Sequence, residues 1–402
     1  MQVFRNFSQI ITLDSAFAKD GRNLVPKDLS IISNASVVFD DKEILWVGKD
    51  IDFPAQYQVL DAKDCSGKIL FPELVDCHTH LVFGGDRSNE YAMRLNGAGY
   101  EEIAKTGGGI ISTMKKTSTL SRDELFNLGC ERIERINSYG IGTIEIKSGY
   151  GLNLEKEKEL TLIIDDLKKK FAEKVQIKNT YMAAHAVPPG FSSSKDYLDD
   201  VVIPLLKDLA PQGIIDAVDI FYEKGYFTHE DCEELFKVSK ELKIPCKGHM
   251  DEFYDNKGAL LGVKYNALSV DHLLNTDLDG IKALASSKTV TTLLPGTGFF
   301  LGVNQANARA FLDAGCKVAI GSDYNPGSCH WDNVLMIASM AAPKYEMNLA
   351  ELWASITLNA AHALGLTSQG VIKKGFSPRF TIFATDSVDQ ITYNWGKNFS
   401  LS

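Results

Sequence analysis

Two kinds of apolar patterning divide this chain. From residue 1 to about 65, apolar and polar positions alternate in short runs, "QVFRNFSQIITL", "ASVVFDDKEILWVG" and "YQVLDAKD", with turn residues between them. Alternation with period two predicts half-buried strands. The segment "SPRFTIFATDSVDQITYNW" near the other end reads the same way. Between these ends, short β-branched runs alternate with amphipathic helical stretches. The runs fall at 68–80, 140–150, 175–186, 217–223, 244–252, 267–272, 289–296 and 317–323, and helices are predicted between them, for example over 121–139 and 230–243. Eight strands, most followed by a helix, over about three hundred residues predict an α/β protein built on a (β/α)8 TIM-type barrel. The two β ends are expected to pair into a small β-sandwich domain. The predicted domains are therefore 1–65 plus 366–402, and 66–365 for the barrel. A dinucleotide-binding sheet is excluded. The glycine-rich "KTGGGI" at 105–110 follows a helical stretch and matches no G-x-G-x-x-G, and there is no phosphate-binding G-x-x-x-x-G-K-[ST] loop.

The apolar runs end in a notable set of residues: His78 and His80, Tyr150, His185, Glu223, His249 followed by Glu252, His272, and Asp323. In a barrel these ends converge on one face, where active sites sit. Packing alone does not call for a polar residue at the end of so many apolar strands.

Charge and cysteine usage narrow the setting. The net charge is -10, which argues against a surface for nucleic acid. An anionic substrate would then need local attraction. The seven cysteines are scattered, odd in number and without a C-x-x-C, so reduced thiols are expected rather than a disulfide framework. The N-terminal stretch has no basic segment followed by a long apolar one, and no apolar window reaches transmembrane length. A cytoplasmic protein with no membrane partner is expected.

The candidate chemistry begins at "LVDCHTHLVFGGDRSNE". Residues i and i+2 of a strand point to the same side, so His78 and His80 present two imidazoles together. His249, ending the fifth run, could add a third nitrogen, and Asp323, ending the eighth, a carboxylate. Three histidines, an aspartate and an open position for water describe a hydrolytic mononuclear metal site. Asp323 could instead cap a following helix, since "SDYNPGS" reads as a loop-to-helix entry. His229 and His362 fall in helical stretches and are read as structural.

These residues resemble the metal-dependent amidohydrolase superfamily and, within it, the imidazolonepropionase family. The similarity is carried by "DCHTHLVFGGDRSNEYAMRLNGAGYEEIAKTGGGI" (76–110), "EIKSGYGLN" (145–153), "AAHAVPP" (183–189), "HMDEF" (249–253), "LLPGTGFFLG" (293–302) and "GSDYNPGS" (321–328). The H-x-H pair alone is a superfamily-level signal, whereas the set together is specific. The resemblance implies a hydrolase that opens the ring of 4-imidazolone-5-propanoate to N-formimidoyl-L-glutamate, with one Zn2+ or Fe3+ per subunit, in a homodimer. It implies His78, His80, His249 and Asp323 as metal ligands, and Arg87, Tyr150, His185, Glu252, Asn325, Gly327 and Ser328 as substrate contacts. Glu252, His272 and Asp323 are the candidates for proton transfer and for orienting the water or the ring oxygen. Arg87 suits the propanoate tail, because a guanidinium grips a carboxylate bidentately.

Each assignment has a structural alternative. Arg87 could form a surface salt bridge with Asp86 or Glu90, and Tyr150 could simply line the barrel. His185 could be an additional metal ligand, Glu252 a salt-bridged carboxylate at the barrel mouth, and His272 a residue that only orients Asp323. Three positions depart from the family's wording: Glu73 and Gly190 stand where other residues are usual, and His330 has no assigned part. Two further functions fit the same pattern less closely. A ring deaminase of the superfamily would need no carboxylate clamp, and a catalytically silent binding barrel should have lost part of the ligand set.

Overall fold

The computed structural model describes residues 1–98 and 108–401. The first three residues of the glycine-rich run at 105–110 lie outside them. Eight parallel strands form one sheet: β6 (Leu74–Asp76), β7 (Ile141–Lys147), β8 (Gln176–Ala184), β9 (Ala217–Tyr222), β10 (Gly248–Met250), β11 (Ser269–His272), β12 (Val290–Leu293) and β13 (Val318–Ile320). Their spatial order follows the chain, so each pairs with the next. The first and last are joined just beyond their ends by a bridge between Thr79 and Tyr324. The barrel predicted from the alternating pattern is thus present, with every strand inside one of the eight runs.

The helices predicted at 121–139 and 230–243 are Arg122–Ser138 and His229–Glu241. Both begin with a capping box, Ser121 with Glu124 and Thr228 with Asp231, which satisfies otherwise unpaired N–H groups at the helix start. Leu125, Ile133 and Ile136 of the first helix recur on one face and are buried against the barrel.

The chain's ends form the small β-sandwich domain, its strands hydrogen-bonded as one sheet. These are β1 (Gln2–Ile11), β2 (Ile31–Phe39), β3 (Ile44–Lys49), β4 (Ala62–Asp64), β5 (Ile69–Pro72) and β14 (Phe380–Phe383). Val37 and Phe39 of β2 pack with Phe7, Ile10 and Leu70, whereas Val38 between them packs with Val3 and Phe53, so both faces of the sheet carry a core.

Two element readings need correction. The run at 68–80 is two strands, with β5 in the terminal sheet and β6 in the barrel, divided at Glu73. Glu73 turns its carboxylate to Thr143 Oγ1 (2.6 Å) and Arg379 Nε (2.7 Å), tying the junction to both sheets. The C-terminal segment is not all strand: Asp389–Tyr393 is a helix. Val388 and Ile391, three apart, are buried against the main core, and that spacing suits one helical face.

Candidate active site

The ligand candidates gather where the barrel closes. Asp323 N donates to His78 O (3.0 Å) and His80 N to Tyr324 O (2.9 Å), so the backbones carrying H-x-H and Asp323 are knit together. His249 lies in β10, across the axis. His80 Nε2 and His249 Nε2 are 3.2 Å apart, and Asp323 Oδ1 is 3.6 Å from His78 Nε2 and 3.7 Å from His80 Nε2. The three histidines together present one nitrogen each within 4.8 Å of one another. His78 Nε2 is buried and has no hydrogen-bond partner, which a buried polar atom rarely tolerates unless something is to be bound there. Burial holds His78, His80 and His249 well below the usual histidine range, and so in the neutral form that can ligate. This donor set fits a divalent metal.

Asp323 does not cap a helix. The next one, Val334–Lys344, is capped by Asn333. Instead, Asp323 has a left-handed backbone (φ 52°), and its Oδ2 accepts from Thr297 Oγ1 (2.7 Å) and Ser328 Oγ (3.3 Å). A non-glycine residue held at positive φ is a strained feature of the kind found at working sites. His272 also has positive φ (80°).

Beneath the histidines lies a charged cluster that sequence reasoning missed. His78 Nδ1 donates to Asp271 Oδ2 (2.7 Å) and His249 Nδ1 to Asp219 Oδ1 (3.1 Å), which turns each Nε2 toward the common centre. Lys147 Nζ pairs with Asp219 Oδ2 (2.6 Å) and Glu145 Oε2 (2.9 Å), and Lys247 Nζ with Glu145 Oε2 (2.8 Å). All five are fully buried. Burial works against the charge on Lys147, but Asp219, Glu145 and Asp271 outweigh it and raise its pKa. Two ammoniums against Glu145, Asp219, Asp271 and Asp323 leave a formal excess of two negative charges around the centre, which suits a dication. A signal was available in the sequence: Glu145 and Lys147 share one face of a strand by their i, i+2 spacing. Their partners come from other strands and were not legible.

Above the histidines opens a cleft of about 770 Å3. Tyr150, His185, Arg87, Glu252 and His272 line it, together with Asn325, Gly327 and Ser328. The ring of His185 stacks on His80 (4.8 Å between centroids, 17° between planes), and its Nδ1 donates to Gly149 O (3.2 Å). Its other nitrogen is therefore an acceptor while the ring is neutral, and burial lowers its pKa to about 4. Tyr150 is held in place by a loop wrapped around the buried Glu157, which accepts from the N–H groups of Gly149 (3.1 Å), Gly151 (2.6 Å) and Leu152 (3.1 Å). Gly149 is required there: its φ is 119°, and a Cβ would lie 2.9 Å from His185 Nδ1.

Burial, with Asp323 and Glu223 nearby, pushes Glu252 well above the usual carboxylate range. Its Oε1 is 3.6 Å from His272 Nδ1, so His272 faces Glu252. Burial lowers His272 to about 4 and keeps it neutral. Arg87 does pair with Glu90 (3.0 Å), as one alternative foresaw, but the pair is largely buried and the guanidinium still lines the cleft. Asn325 spends both ends of its amide on its own loop: Oδ1 accepts from Gly327 N and Ser328 N (2.8 Å each), and Nδ2 donates to Asp323 O (2.7 Å) and Ser328 Oγ (2.8 Å).

The structure separates the remaining histidines from this site. His330 is exposed, its ring packed near Phe83 and Tyr324. His229 lies on its helix beside Glu233 and Tyr222, and His362 on the helix Leu358–Ala363. Arg94 also lines the cleft and was not foreseen. It stands seven residues after Arg87, a spacing that repeats a helix face.

An eight-stranded parallel barrel, with three histidines and an aspartate that suit a divalent metal converging at its mouth, marks a hydrolase of the amidohydrolase class. The amidohydrolase family model matches residues 69–400, and the chain belongs to that family. Among curated proteins it is similar to imidazolonepropionase of Idiomarina loihiensis (41% identical, covering 92% of this chain and 91% of that protein). It is likewise similar to imidazolonepropionase of Bacillus velezensis (37% identical, covering 98% and 93%). Among solved structures, a zinc complex of atrazine chlorohydrolase from Arthrobacter aurescens has the same fold, with a TM-score of 0.76 at 17% identity over 100% of this chain and 93% of that one. An adenosine deaminase from Xanthomonas campestris with bound zinc gives 0.72 at 14% identity over 99% and 90%.

Proposed function

We propose that this protein is an imidazolonepropionase: a hydrolase of histidine degradation that cleaves the ring amide C–N bond of 4-imidazolone-5-propanoate to give N-formimidoyl-L-glutamate. The observation that carries the reading is a single cleft lined by His80, His249 and Asp323, with His78 grouped beside them, and by Arg87, in a chain of the kind compared above. A metal ion held by those four residues would supply Lewis acidity and an acidified water. Zinc and iron both suit three imidazoles and a carboxylate.

The chain's own residues do the rest. Arg87 takes the propanoate tail at one end of the cleft, which places the ring over the histidines. His185 and Tyr150 close one side of the ring and limit the water around it. The Asp323 carboxylate, its plane fixed by Thr297 and Ser328, takes the proton of the attacking water. Glu252, kept protonated by burial, hands a proton to the departing ring nitrogen. Neutral His272, set against Glu252, offers a hydrogen bond to the ring oxygen rather than a charge. Asn325 holds Gly327 and Ser328 in register for contact with substrate and product.

All seven cysteines are unpaired and buried, which suits a reducing cytoplasm. No described helix is long and apolar enough to cross a membrane. A homodimer is the assembly we expect.

The test is an assay of purified, metal-loaded protein that follows loss of the imidazolone chromophore and appearance of N-formimidoyl-L-glutamate. Ammonia release without ring opening would instead support the deaminase reading.

A further inference from the structure

We propose that Glu223 and Asn275 are positioning residues for Glu252: together they clamp the peptide bond that follows it and so hold its carboxyl at the cleft. This rests on the ring-opening reading above, in which Glu252 is the proton donor. Glu223 ends the fourth apolar run of the sequence, and the chemistry described so far gives it no task. It directly follows β9 and is buried. Its Oε2 accepts from Phe253 N (2.8 Å). Asn275, just past β11, donates from Nδ2 to Glu252 O (2.7 Å). Glu252 O and Phe253 N belong to one planar peptide unit. Both polar atoms of that unit are therefore taken by side chains, one from each strand that flanks β10.

Glu252 needs such a clamp because it lies two residues past β10, on a turn outside the strand ladder. The two residues after it, Phe253 and Tyr254, are 50% and 53% exposed, so apolar burial gives this turn little hold. Polar contacts fasten it instead. Glu223 Oε1 accepts from Asn256 Nδ2 and from Lys224 N (2.9 Å), and Tyr222 Oη donates to Asn256 O (2.7 Å). On the other side, Asn275 N donates to Asp251 O (3.0 Å). Asp251 has positive φ (54°), and its Oδ1 accepts from Asn256 N (3.1 Å) and Gly258 N (2.9 Å). The turn is thus tied before and after Glu252, and the tie at Glu252 itself is the 252–253 peptide. A proton donor acts only within hydrogen-bond reach of the atom it protonates. A rotation of that peptide plane would swing the Glu252 side chain away from His272, which it faces at 3.6 Å. Glu223 has a second effect in the same direction: after burial and Asp323, its charge helps keep Glu252 protonated.

The experiment measures kcat, KM and bound metal for metal-loaded wild type, Glu223→Ala, Glu223→Gln and Asn275→Ala, with 4-imidazolone-5-propanoate as substrate. Glu223→Ala loses a charged acceptor, so its kcat should fall about 10- to 100-fold, with KM and metal content within about twofold of wild type. Glutamine keeps a carbonyl oxygen for Phe253 N, so Glu223→Gln should recover most of that loss. Asn275 is exposed, and its replacement by alanine is not expected to disturb folding. Its kcat should fall about three- to tenfold, again with KM and metal kept. A crystal structure of Glu223→Ala should show Glu252 turned away from His272. An unchanged kcat in either alanine variant overturns the proposal. So does a loss of metal or a rise in KM that accounts for the lost activity, which would mark the pair as general scaffold. Glu223→Gln as slow as Glu223→Ala overturns it too. Should Glu223→Ala fail to fold, Asn275→Ala decides by the same criteria. In all these cases wild-type turnover leaves the ring-opening reading standing. A wild type that does not open the ring sinks that reading, and the clamp with it.

Discussion

At the scale of single residues, the site is a set of side chains each given one task by its neighbours. His249 has Nδ1 committed to Asp219, so only Nε2 can face the centre. We expect His249→Ala to lose bound metal and turnover together, measured by metal content and by the chromophore assay; wild-type-like turnover would sink the site as drawn. Arg87 is different, because in the proposed reading it meets the tail and not the reacting bond. Arg87→Ala should raise KM about 10- to 100-fold with a smaller change in kcat, in line with the loss of a charge-assisted hydrogen bond of about 1.5–3 kcal/mol. A fall in kcat with KM unchanged would move Arg87 from binding to chemistry. His249 was legible because histidines are few and it stands near the end of an apolar run, and Arg87 because it follows the first run in a loop of familiar wording. Asn325 was legible by resemblance, but its four hydrogen bonds within the loop were not.

At the scale of elements, the barrel strands do two jobs. Their ends carry the candidate ligands, and Glu145, Lys147, Asp219 and Asp271 on them, with Lys247 just before β10, are buried below. Two charges of that cluster come from β7, one each from β9 and β11, and one from Lys247 just before β10, so it ties neighbouring strands together below the histidines. Removing Lys147 leaves Asp219 buried without its ammonium partner. Lys147→Met is expected to lower stability by about 3–5 kcal/mol in urea unfolding of the metal-free protein, as for other broken buried ion pairs. A change under about 1 kcal/mol would mean that water or rearrangement relieves Asp219. In the sequence, Glu145 and Lys147 show their shared strand face, but Asp219, Lys247 and Asp271 each look like a lone charge inside an apolar run. Their grouping depends on strand register, which no local pattern specifies.

At the scale of the whole molecule, the question is how the small β domain is held to the barrel. The passage from one sheet to the other runs through Glu73. Its carboxylate meets Thr143 on β7 and Arg379 just before β14, and Arg379 Nη2 also donates to Gly142 O (2.8 Å). Gly142 is needed here, since a Cβ would lie 2.0 Å from Glu73 Oε1. Burial raises the pKa of Glu73 and Arg379 opposes that rise, so Glu73 relies on this partner for its charge. Arg379→Met should cost about 1–3 kcal/mol by stranding the carboxylate, and adding Glu73→Gln should recover part of it. Strict additivity of the two changes in a double-mutant cycle would show that the pair does not couple the domains. In the sequence, Glu73 stood out only as a departure from a familiar motif. Its partner lies 306 residues away, a separation across which only folding decides contact.

The sequence by itself determined the alternation of strands and helices, the β character of both ends, and the residue types at the strand ends. These are local properties, set by side-chain periodicity and by the scarcity of histidine. Tertiary structure alone decided the rest: the lysine–carboxylate cluster that aims His78 and His249, and the link from Glu73 to Arg379. The physical reason is the same in each case. A charge is made tolerable inside a protein, or useful at its mouth, by partners that arrive from distant strands and loops, and their positions follow from barrel closure and register rather than from any neighbour along the chain.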